Sequence, residues 1–107
     1  MMTNPPPEVS QLKDMIEYQK NSVVSKEIIK KKTGTITLFA FDVGQGLSEH
    51  TAPFDTLVQV LEGEAKVTIS GNPFVLKKDE SIMMPARKPH ALRATKKFKM
   101  LLTMIKE

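Results

Sequence analysis

Residues Gly44 to Gly63 read GQGLSEHTAPFDTLVQVLEG. A loop carries one histidine, His50, into a short apolar run, Leu57 to Leu61, which stops at a Glu62-Gly63 turn. An apolar run of that length, bounded by turn residues, has the size of a buried strand. Only one other histidine exists, His90, in the segment PARKPHALRA. The chain has no cysteine, which excludes disulfides, thiolate metal sites and Cys nucleophiles. Polar chemistry therefore has to be built around the two imidazoles.

Outward from that stretch, β-branched and aromatic residues alternate between turn signals, and no helical stripe appears after Asn21. The pattern predicts strands at Val23 to Ile29 and at Thr35 to Val43, the latter with Thr35, Thr37, Phe39, Phe41 and Val43 on one face and Ile36, Leu38 and Ala40 on the other. Past Gly63, Ala65, Val67 and Ile69 alternate with polar residues, as in a sheet with one wet face. Gly71-Asn72 is expected to form a hairpin turn before Phe74 to Leu76. Ser81 to Met84, Ala91 to Ala94 and Phe98 to Ile105 complete the set, with Phe98, Met100, Leu102 and Met104 sharing a face. Eight or so short strands need closure or sheet-on-sheet packing to hide their edges. The fold class is all-β, a small barrel or sandwich.

Ahead of it, Pro5, Pro6 and Pro7 favour an extended arm. Val9, Leu12, Met15 and Ile16 then recur at helical spacing, predicting about two turns of amphipathic helix with Ser10 as the cap. Residues 1–20 are read as an N-terminal arm with a short helix, and residues 21–107 as the barrel.

At 107 residues, with 40% hydrophobic and 26% charged residues, the chain is one globular domain. Sixteen Lys and Arg against twelve Asp and Glu leave a net charge of +4. The lysines fall in short runs, Lys30 to Lys32, Lys77-Lys78 and Lys96-Lys97 with Lys99, rather than along one helix, and with six aromatics in the whole chain the base-stacking signature of a single-strand binder is missing. No apolar run reaches membrane-spanning length and MMTNPPPEV lacks the layout of a signal peptide. The expectation is a cytoplasmic protein with neither nucleic acid nor membrane as partner.

The spacing within the opening stretch is specific. Gly44, five residues, His50, then Gly63 resembles the first motif of the cupin superfamily, G-x5-H-x-H-x3,4-E-x6-G. Pro85, four residues, His90 resembles the second, G-x5-P-x-G-x2-H-x3-N. Glu64 to Lys78 matches the short hairpin between the motifs in small microbial cupins. The resemblance covers roughly residues 34 to 105 and implies a small cupin barrel, a double-stranded β-helix of jelly-roll type. Departures are equally specific. The second histidine of the first motif falls on Ala52 and its glutamate on Thr56. Asp79 and Arg87 replace glycines of the second motif, and Ala94 replaces its asparagine.

In the family, three histidines and a glutamate hold a divalent metal inside the barrel, and the resemblance makes His50 and His90 the metal positions here. With the Ala52 and Thr56 positions lacking ligands, the expectation is one weakly held divalent transition metal (Zn, Ni, Fe, Mn or Cu) or none. The leading functional expectation is a barrel that binds a small, partly apolar molecule in its lumen through His50, Thr56, His90 and Met100. The alternative is a metal-assisted enzyme of oxygenase, isomerase or decarboxylase type, its two-histidine site completed by water or substrate. Met83, Met84, Met100 and Met104 cluster in the C-terminal half, and thioethers bind Cu(I); read alone, they are pliable core filling. Arg87 reads as an exposed loop arginine. Ser48, Ser70 and Ser81 sit in no nucleophile elbow. A homodimer is expected, since sheet edges and the two-sided strands near residues 23 to 43 need cover and small cupins commonly pair through such sheets.

Overall fold

Strand β2 (Gly34–Phe41) carries apolar side chains on both faces in the computed structural model, which describes residues 7–106. Phe41, with Phe39 beside it, faces a core that includes Val58, Val67, Leu92, Phe98 and Met100. Leu38 and Ala40 face the other way, into a second cluster with Ile16. A strand so placed needs a layer on each side. An opposing sheet supplies one layer, and the N-terminal segment supplies part of the other.

β2 lies in a five-stranded sheet between β1 (Val23–Lys31) and β9 (Phe98–Ile105), followed by β4 (Asp55–Glu62) and β7 (Ser81–Met84). The facing four-stranded sheet runs β3 (Gly46–His50), β8 (His90–Ala94), β5 (Glu64–Ile69) and β6 (Asn72–Lys77). Each of these pairings is antiparallel. Phe41 and Phe98 stack at 4.4 Å between centroids and plug one end of the space between the sheets. No helix among the described residues is long and apolar enough to cross a membrane.

Three expectations are corrected. Gly46–His50 is strand β3, not loop; its only inward apolar residue before the histidine is Leu47, so alternation alone gives no signal. The β5–β6 hairpin turns at Ser70-Gly71, one residue earlier than expected, because Ile69 pairs with Asn72. Both turn residues have positive φ, 49° and 82°, as a two-residue hairpin with the twist of its strands requires.

The third correction concerns the N-terminus. In place of two helical turns there is a single 3₁₀ turn, Leu12–Met15, with no side-chain cap. Ser10 Oγ instead donates to Met15 Sδ at 3.5 Å. Ile16 is already extended, and Leu12, Met15, Ile16 and Tyr18 spread across Leu38, Ala40 and Leu61. A helix this short is marginal by itself, and an extended strap lays more apolar surface on a flat sheet. Residues 1–6, including Pro5 and Pro6 of the expected arm, lie outside the described residues.

Candidate functional site

β3 pairs with β8 in regular register at Gly46–Arg93 and Leu47–Leu92, then slips by one residue so that His50 stands opposite His90. The slip is a β-bulge: one extra residue on β3 re-aims the side chains beyond it. Together the two strands bring both histidines to the end of the lumen opposite the Phe41–Phe98 stack.

A cavity of about 40 Å³ lies there. His50, Thr56, His90 and Met100, the four residues expected to contact a ligand, all line it, and so does Ala52. Leu47, Met84, Leu92, Leu102 and Met104 complete the wall. The shared face of β9 read from the sequence already includes Leu102 and Met104. Met84 was missed, because Ile82, Met83 and Met84 are all apolar and a run of that kind does not say which face is inward. Register does: Thr56 pairs with Met84, and Leu57 with Met83.

The imidazoles meet edge to face, 4.4 Å between centroids at 73°, with Nε2 3.1 Å from Nε2. Each Nδ1 lies against a carbonyl, His50 on Ser48 at 2.8 Å and His90 on Lys88 at 3.1 Å. A carbonyl only accepts, so both Nδ1 atoms carry the hydrogen and both Nε2 atoms present lone pairs when the rings are neutral. Burial holds His90 below the usual imidazole range; the Lys88 carbonyl pulls the other way, and neighbouring His50 adds to the lowering. His90 is buried, while His50 is exposed at the mouth. With both Nδ1 hydrogens on carbonyls, the 3.1 Å Nε2–Nε2 contact becomes a hydrogen bond when one ring takes up a proton, so the pair is a site for one positive charge, a shared proton or a cation that replaces it.

Thr56 is 3% exposed and donates to the Phe54 carbonyl at 3.4 Å, a long contact that leaves its hydroxyl weakly engaged. Asp55 does not turn inward: its Oδ1 accepts the Ala86 N–H at 2.9 Å. Arg87 is exposed and lines a separate cleft with Pro53, Phe54 and Ile105, outside the lumen. Among the described residues, no group of three or more His, Asp or Glu gathers anywhere. The four-ligand divalent site of the cupin motif therefore does not fit: two nitrogens remain, and no ligand carries negative charge.

The family model described as cupin domain matches residues 37–106. No curated protein matches the chain. Among solved structures, a conserved protein of unknown function from Streptococcus pyogenes is 32% identical with a TM-score of 0.90, covering 94% of this chain and 88% of that one. A cupin superfamily protein from Desulfitobacterium hafniense is also 32% identical, with a TM-score of 0.91 over 96% and 94% of the two chains. A cupin 2 conserved barrel domain protein from Leptotrichia buccalis reaches 43% identity and a TM-score of 0.85, over 88% of this chain and 46% of that longer one.

Proposed function

The chain belongs to the cupin domain family, and on that premise we propose that its lumen binds a small, partly apolar molecule, with His50, Thr56 and His90 at the polar end and Met100 along the apolar part. The observation that carries this reading is the facing pair of Nε2 atoms at the head of a cavity otherwise walled by methionine, leucine, Ala52 and Thr56. Since both Nδ1–H groups are spent on carbonyls, the polar end of the ligand has to bring a hydrogen, as a hydroxyl or an undissociated acid does. The 40 Å³ volume is far below the ~300–1,000 Å³ of drug-sized pockets, so the ligand has only a few heavy atoms, or the methionines repack around a larger one.

Titration with short-chain alcohols and monocarboxylic acids tests this, with imidazole nitrogens and methionine methyls followed by NMR. At least one compound is expected to move His50, His90 and Met100 together, and His90→Ala to abolish the response. A series that leaves all three unmoved overturns the reading. The metal-assisted enzyme has in its favour only the paired Nε2 atoms, and Thr56 stands where its acidic ligand would be.

A further inference from the structure

We propose that the lumen is a site for a soft monovalent cation, Cu(I), held by Nε2 of His50 and His90 and by the thioethers of Met84 and Met104, with Met100 in the wall beside them. The proposal rests on the lumen being the binding site, and it starts from the misfit of the divalent ligand set.

The methionines are not scattered. Thr56 occupies the position of the motif's glutamate, and its two cross-strand partners are Met84 on β7 and Met104 on β9. Where the carboxylate is missing, a thioether stands on either side. Met100 is fully buried, further along the same face of β9. Met83, adjacent to Met84 in sequence, is 54% exposed on the outer face, so strand parity separates the lumen methionines from an ordinary surface one. Five donors of two kinds, imidazole and thioether, thus line one cavity. Filling an apolar space requires only leucine, which is also present; the combination with two aligned lone pairs is what filling leaves unexplained.

Charge selects the ion. No acidic residue lines the cavity, so a bound ion keeps its full charge in a low-dielectric setting, where the cost of desolvation is large. That cost grows as the square of the charge, and a divalent ion bears roughly four times the penalty of a monovalent one. Softness points the same way: thioethers select Cu(I), imidazole also suits copper, and hard ions prefer the carboxylate and carbonyl oxygens that this lumen withholds. Orientation is already in place, because the Ser48 and Lys88 carbonyls hold both rings by Nδ1, the supporting contact that metal-binding histidines ordinarily have. Exposed His50 at the mouth gives an entering ion its first ligand.

The test uses the full chain under anaerobic conditions. Cu(I) is titrated in competition with a chromophoric Cu(I) chelator, and Ag(I), a redox-inert probe of the same charge and softness, is titrated with methionine methyls followed by NMR. One equivalent is expected to bind and to move the Met84 and Met104 methyls while Met83 stays in place. A Met84→Leu, Met104→Leu double variant conserves volume and keeps the fold, which its thermal unfolding midpoint checks. It is expected to lose Cu(I) affinity by at least ~10-fold, the scale seen when even a supporting group of a metal ligand is removed, with no comparable change for Zn(II). Unmoved methyls, or undiminished Cu(I) affinity in the folded double variant, overturn the proposal. If the short-chain probes bind and Cu(I) does not, the copper assignment falls and the lumen remains an organic-ligand site; if neither binds, both fall.

Discussion

Asp79 and Arg87, which stand where the second cupin motif has glycine, adopt left-handed backbone with φ of 69° and 64°. Gly44 and Gly63 of the first motif do the same at 81° and 84°. Gly63 shows why such a position resists change: a Cβ there would meet the Lys97 carbonyl oxygen at 2.0 Å. Arg87 is held in place by its N–H, which donates to the Ala52 carbonyl at 2.7 Å and ties the turn to a lumen-lining residue. A non-glycine side chain in this conformation costs ~1–2 kcal/mol, part of which glycine returns as unfolded-state entropy. Arg87→Gly is expected to raise stability by about 0.5–1 kcal/mol, read as a higher urea midpoint; a lower midpoint would show that the guanidinium makes a stabilising contact. At this scale the sequence was legible where spacing is fixed by the motif, as at His50, His90, Ala52 and Thr56. It was silent at Met84, whose inward direction depends on a cross-strand partner.

Among elements, β7 and β9 span the residues that alternation and flanking turns predicted, because their ends coincide with Pro85 and with the polar Lys96-Lys97. The N-terminal strap was not legible, since its apolar spacing fits a helix as well as an extended segment lying on a sheet. Polar contacts pin it. Tyr18 donates to Glu62 Oε2 at 2.7 Å, the Lys97 and Lys99 ammonium groups each stand 5.0 Å from its ring centroid, and buried Lys99 donates to the Lys13 carbonyl. Burial first, then the Glu62 hydrogen bond and charge, raise the Tyr18 phenol well above its ordinary range. A folded-state value above the unfolded one means a contribution fully present below the unfolded value, ~10, and lost as pH rises through the folded one. Tyr18→Phe is expected to cost about 1 kcal/mol at neutral pH and to flatten the alkaline fall of stability. As the only tyrosine, Tyr18 can also be titrated directly by absorbance; ionisation near its ordinary pH of ~10 in the folded protein would refute the latch.

For the whole molecule, two-sided strands made closure between two sheets readable. What covers the outer face was not readable, and the strap turns out to supply part of that cover from within the chain. Leu57 and Met83, paired across β4 and β7, remain partly exposed on the outer side of the five-stranded sheet, and Ile29 and Ile105 are exposed nearer its β1 end. This uncovered apolar area keeps the homodimer as the expected state. Light scattering should give twice the 12.0 kDa chain mass; a single-chain mass across micromolar concentrations would exclude it.

The bulge in β3 makes the character of the lumen a matter of counting. With Leu47 opposite Leu92, an unbroken register would set Glu49 against His90 in place of His50. The one residue in excess between Leu47 and His50 is what puts an imidazole there: its loss would close the bulge and leave His50 opposite His90, whereas a regular register over the same residues would put a carboxylate in that place. The polar end of the lumen is thus set by the register of one edge strand, which can slip without disturbing the other pairings of either sheet.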